Sequence, residues 1–132
     1  MSPEITMLVW STALLIVLVV IQATVGVQAQ GLVPMAGARD NLPEPTTFQA
    51  RTRRVVDNHR EGLTMFAPLV IAAALAHVTN SWTVLGAQLF FWSRLAHAVL
   101  YLAAVPMVRP LAWGVGLVGT IMVLLALLGV LR

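Results

Sequence analysis

Apolar residues run almost without a break from Ile5 to Gln28, and three further apolar stretches follow along the chain. A helix that crosses a bilayer needs ~20 such residues, and Gln22 is the only strongly polar residue in the interior of the first run. Charge is concentrated in one place: nine of the thirteen charged residues fall between Arg39 and Glu61. Hydrophobic residues make up 59% of the 132, charged residues 10%, and the mean hydropathy is +0.88. Soluble domains carry about 25% charged residues, so this chain has too little polar surface to cover itself in water. The expected class is an all-α integral membrane protein, a four-transmembrane-helix bundle in which residues 1–132 form a single domain.

The pattern predicts helices over about 5–28, 47–79, 82–104 and 110–131. The first lacks a basic leader before its apolar run, which predicts a retained helix rather than a cleaved signal. The second apolar run, Leu63 to Val78, is short for a span, but helical patterning extends it back to Thr47. Thr46 and Gln49 have capping-box spacing at that start. Residues 31–47 are rich in Gly and Pro and predict the one sizeable loop. A short polar link joins the second and third helices, so these should be antiparallel neighbours. Pro106 and Pro110 bracket Arg109 and predict a stop to helix propagation there. On the fourth helix, Ala112, Gly116 and Thr120 form a small-residue row that permits close packing, as does the region Ala72–Ala76 on the second.

The net charge of +3 and pI near 11.2 do not point to nucleic acid, because the basic residues lie in one local cluster of a greasy chain. All eight are Arg, the side chain that holds carboxylates bidentately. Five lie in the first loop and the start of the second helix, and Arg109 lies in the third connection. Only Arg132 is on the other side. The positive-inside rule then places both arginine-bearing connections in the cytoplasm and both termini away from it. With no cysteine, disulfides and thiolate metal sites are excluded.

Two polar stripes interrupt the apolar pattern. Arg51, Arg54, Asn58 and Glu61 recur at spacings of three, four and three, which places them on one helix face. Arg94, His97 and Tyr101, within FFWSRLAHAVLY, do the same on the next helix, with Arg109 over the same mouth. Ionisable residues at membrane depth are rare and usually face a partner or a wet cavity. Among the five acidic residues only Glu61 is placed to meet Arg94, which predicts a structural ion pair between them. Arg53 and Arg60 read as a solvated collar, and Trp10, Trp82 and Trp113 as an interfacial belt, a reading also open to Tyr101. The stripes suit a small anionic ligand that has several carboxylates and an ammonium group, and the apolar walls suit a lipophilic second substrate. No phosphate loop, Ser–His–Asp spacing or metal-ligand cluster is present.

The segment RTRRVVDNHREGLTMF resembles the RxxR…N..E….F signature of the MAPEG family, the membrane-associated proteins of eicosanoid and glutathione metabolism. RLAHAVLY followed by VRP is similar to that family's RxxHxxxY segment and downstream Arg, most like the branch of microsomal glutathione transferase and prostaglandin E synthase. The resemblance implies a bacterial-type member in the inner membrane, assembled as a homotrimer with glutathione as co-substrate between subunits. It implies that Arg51, Arg54, Asn58, Glu61, His97 and Tyr101 bind glutathione, that Arg94 braces Glu61, and that Arg109 is the catalytic residue stabilising the thiolate. Asp57, Pro110 and Met65 depart from the branch pattern, and Pro110 argues against a hydroxyl-assisted mechanism. The expected activity is a glutathione transferase or peroxidase acting on lipophilic electrophiles in detoxification. The alternatives are a non-enzymatic membrane subunit that keeps the fold, and a small proton-coupled exporter working through Glu61.

Overall fold

The computed structural model describes residues 1–132 and contains no strands. Its helices are α1 (Pro3–Gln30), α2 (Leu32–Ala36), α3 (Thr47–Leu75), α4 (Ser81–Leu102) and α5 (Val108–Leu127). The four long helices alternate in direction. Helices α3 and α4 form the middle of the layer, α1 packs on both, and α5 packs on both without touching α1. One end of the bundle gathers residues 76–80 and the first turn of α1. The other gathers the loop 31–46 and the turn 103–107.

Local chemistry explains most of the boundaries. Thr46 caps α3 with its hydroxyl on the Gln49 amide at 3.1 Å, while the Gln49 side chain returns to the Thr46 amide at 3.4 Å. Gln30 donates to the same Gln49 side chain at 3.1 Å, which ties the end of α1 to the start of α3. The expected end of α3 near residue 79 is four residues too long. The helix closes at Leu75 with His77 at φ 54°, and the Val78 amide reaches back to the Ala73 carbonyl. This is a Schellman turn. Helix α4 closes in the same way with Ala104 at φ 59°. Helix α5 starts at Val108, two residues before the expected position. Pro110 lies in its first turn, where a missing N–H leaves no bond unmade. The short α2 lies inside the stretch expected to be loop.

The core is built at two levels. Phe66 of α3 and Phe90 of α4 stack with ring centroids 3.9 Å apart, flanked by Val70, Ala87 and Val123. Nearer the arginine-bearing end, Leu18, Val55, Val56 and Ala98 pack together. Helices α4 and α5 approach closely at Gly86 and Gly119. A Cβ added to Gly86 would lie 2.6 Å from the Gly119 carbonyl oxygen, and one added to Gly119 would strike the Gly86 carbonyl. Outside this core, the outward faces of α1 and α5 carry Val9, Trp10, Ile16, Val20, Val118 and Ile121 exposed. By length and apolarity, α1 and α5 each suffice to cross a membrane.

Candidate functional site

Helix α3 turns its apolar stripe inward and leaves its charged residues at the margin. Thr52, Val55, Val56, His59, Leu63 and Phe66 are buried, Arg51 and Asn58 are half-buried, and Arg54 and Glu61 are exposed. The side chains of Arg51, Arg54 and Glu61 form no hydrogen bond or ion pair within the chain. The only ion pair joins Arg60 and Asp57 at 2.6 Å on the exposed surface, so Asp57 and Arg60 neutralise each other away from the site.

Arg94 is 3% exposed, between α3 and α5. The ion pair with Glu61 expected from the sequence is not formed. Glu61 lies within electrostatic range of Arg94, but the guanidinium is engaged elsewhere. Its Nη2 donates to Asn58 Oδ1, and its Nε donates to His59 Nδ1 at 3.5 Å. His59 Nε2 in turn lies 2.8 Å from the Ser11 carbonyl of α1. A carbonyl only accepts and a guanidinium only donates, so His59 is the neutral tautomer that carries its proton on Nε2. Three helices are thus joined through one imidazole. Sequence reasoning passed over His59, although it stands seven residues before Phe66 on the buried stripe, a spacing that could have found it.

The aliphatic part of Arg94 depends on a glycine. A Cβ on Gly116 would lie 2.8 Å from Ser93 Oγ and 3.2 Å from Arg94 Cδ, so α5 has room for the arginine only with glycine there. The crevice beside Arg94, between Met65, Phe90 and Trp113, has a volume of about 10 Å³, no more than a single water requires.

Toward the arginine-bearing end the chemistry continues as a stack. His97 is buried, and its ring centroid lies 5.7 Å from that of half-buried Tyr101. The guanidinium carbon of Arg109 lies 4.7 Å from the centre of the Tyr101 ring. Arg109 occupies the first turn of α5, where the helix dipole disfavours a cation. The π face of Tyr101 offsets part of that cost. An anion placed here would meet both the guanidinium and the positive end of α5.

The structure therefore connects Asn58, His59 and Arg94 by hydrogen bonds and His97, Tyr101 and Arg109 by ring contacts. Arg51, Arg54 and Glu61 stay on the adjoining outer face. A family model described as MAPEG family matches residues 7–129, nearly the whole chain. The chain belongs to the MAPEG family. No curated protein and no solved structure matches it. MAPEG membership and the apolar outer faces make it a membrane protein, and the matched range takes in every residue of the site just described.

Proposed function

We propose that this MAPEG protein is a glutathione-dependent membrane transferase or peroxidase acting on lipophilic electrophiles. The observation that carries the reading is the unpaired state of Arg51, Arg54 and Glu61 at the end of the bundle where Arg109 covers Tyr101. Glutathione has two carboxylates, an ammonium and a thiol. Arg51 and Arg54 suit the carboxylates, and Glu61 suits the ammonium. Asn58, held by Arg94, offers its amide at the rim, and His97 and Tyr101 form the wall behind it.

Arg109 is assigned the thiol. A guanidinium beside it lowers the cost of ionisation and holds the thiolate, which is the nucleophile. In conjugation, the thiolate sulfur forms a bond to an electrophilic carbon and the leaving group departs with its electron pair. In hydroperoxide reduction, the sulfur takes the terminal oxygen, the alcohol leaves, and a second glutathione closes the disulfide with loss of water. The lipophilic substrate reaches the sulfur from the bilayer along the apolar helix faces.

Four long helices crossing an inner membrane, with the arginine-bearing connections in the cytoplasm, suit a supply of cytosolic glutathione. An outward-facing arginine stripe also suits a homotrimer, in which a neighbouring copy closes the site. The free Glu61 carboxylate favours one second reading, a proton-coupled exporter. The test uses the purified protein in lipid with glutathione and 1-chloro-2,4-dinitrobenzene or a lipid hydroperoxide. Arg109→Ala should lower turnover at least roughly tenfold, the scale of losing a preorganised charge at the reacting atom. Unchanged rates with both substrates would remove Arg109 from the chemistry. Cation-driven proton flux in proteoliposomes that is abolished by Glu61→Gln would select the exporter.

A further inference from the structure

Asn58 stands half-buried at the margin of α3, and the two ends of its amide meet different surroundings. A guanidinium has donors only, so the atom that faces Arg94 Nη2 is the carbonyl oxygen Oδ1. The nitrogen, Nδ2, is left with two N–H groups that bond to nothing in the chain. The closed side-chain polar atoms without a partner are Glu4 Oε2 and Ser11 Oγ alone, so Nδ2 is open to the surface. While Arg94 holds Oδ1, Asn58 presents a donor, and not an acceptor, to a ligand beside Arg51, Arg54 and Glu61.

That polarity depends on how Arg94 is turned. Its side chain passes between two glycines: a Cβ on Gly62 would lie 3.5 Å from Arg94 Cζ and Nε, and one on Gly116 3.2 Å from Cδ. The glycines decide where the guanidinium sits, but they offer no side chain to set its rotation. His59 does, since its Nδ1 accepts from Arg94 Nε at 3.5 Å while its Nε2 donates to the Ser11 carbonyl at 2.8 Å. The ring is 2% exposed and stacks beside Phe90 with centroids 6.4 Å apart, so the backbone of α1 and the aromatic core hold its plane. We infer that His59 is a positioning residue: through Arg94 it holds the Asn58 amide with Nδ2 outward, so this subsite takes only a hydrogen-bond acceptor of the ligand, a carboxylate or carbonyl oxygen. A ligand ammonium is turned away from Asn58 and left to Glu61. The choice of glutathione as that ligand rests on the function proposed above; the lock on Asn58 does not.

Two measurements on the full-length protein in lipid test it. Solid-state NMR of the side-chain nitrogens, without ligand, should show wild-type His59 protonated at Nε2 and bare at Nδ1, with one Asn58 amide state. His59→Gln carries a donor and an acceptor on one amide and should keep that single state. His59→Leu removes both and should give two exchanging Asn58 states. A wild-type ring protonated at Nδ1, or a single Asn58 state in His59→Leu, overturns the lock. Calorimetry with glutathione reads the consequence. His59→Leu and Asn58→Ala should each weaken binding about three- to tenfold, the scale of one hydrogen bond. The double variant should be no weaker than Asn58→Ala, and His59→Gln should bind within about twofold of wild type. Additive losses in the double variant would make His59 a structural residue only and overturn the inference. Asn58→Asp keeps an acceptor for Arg94 and removes the donor, and it stands in if His59→Leu does not fold. It should lose binding by roughly tenfold or more while its thermal midpoint does not fall; undiminished binding overturns the donor role. If wild type binds no glutathione, the proposed function fails, and the NMR result alone decides the lock.

Discussion

Arg109 and Tyr101 meet across the turn between α4 and α5, the guanidinium carbon 4.7 Å from the ring centre. This contact joins the residue assigned to the thiolate to a wall that also includes His97. It positions a cation at a helix start that would otherwise repel it. A cation–π contact at such a site is worth about 0.5–1 kcal/mol. Tyr101→Phe keeps the ring and should leave turnover near the wild-type value. Tyr101→Leu removes it and should lower kcat by about two- to fivefold through a wandering Arg109. Steady-state kinetics on both variants check this, and equal kinetics in Tyr101→Leu and wild type would separate the ring from Arg109.

Arg94 and Glu61 should separate stability from binding. Removing Arg94 leaves buried His59 and half-buried Asn58 without their donor, and Arg94→Met should destabilise by roughly 3 kcal/mol. Glu61 makes no bond in the chain, so Glu61→Gln should leave the unfolding midpoint close to wild type while raising the KM for glutathione. Thermal unfolding in detergent, run beside the kinetics, tests both halves. Equal destabilisation by the two substitutions would restore the ion pair that the sequence led us to expect.

That expectation shows where the sequence stops being legible. Choosing a partner for Arg94 by counting acidic residues ignored neutral acceptors, and the arginine took an amide and an imidazole. Helical spacing places Asn58 on one face with Arg51, Arg54 and Glu61, but spacing does not say which member of that face reaches a neighbouring helix, and only Asn58 bonds to Arg94. Short-range chemistry was easier to read, as in the Thr46–Gln49 cap, where both partners lie within one turn. The end of α3 was hidden because His77 adopts a left-handed conformation that glycine usually marks. The close approach of α4 and α5 was half visible. A small-residue row on α5 could be read, but only the packed pair shows that Gly86 meets Gly119. Family motifs supplied what periodicity could not, a reason to read the two stripes together.

The glycine contact makes its own prediction. Gly86→Ala and Gly119→Ala each place a methyl against the facing backbone carbonyl, an obstacle that cannot rotate away. Overpacking of this kind costs about 1–3 kcal/mol. Gly114→Ala, also on α5, meets nothing within 4 Å and should gain up to about 1 kcal/mol from helix propensity. Thermal midpoints should therefore move in opposite directions for substitutions five residues apart. A shared direction would mean that α4 and α5 are farther apart than described.

Ala104 offers a stabilising change next to the site. It sits at φ 59° in the turn that ends α4, where a Cβ costs roughly 1–2 kcal/mol. Glycine removes that strain, though it gives the unfolded chain more freedom, worth about 0.4–1 kcal/mol in the other direction. Ala104→Gly should thus gain about 0.5–1 kcal/mol, the difference between the two effects. Its neighbour Ala103 has φ −78°, an ordinary helical value, so Ala103→Gly carries only the entropic loss and should destabilise. Because the turn delivers Arg109 to Tyr101, the stabilised variant should keep its kinetics while unfolding at a higher temperature. If both glycine substitutions lower the midpoint alike, the left-handed turn at Ala104 is not part of the folded state.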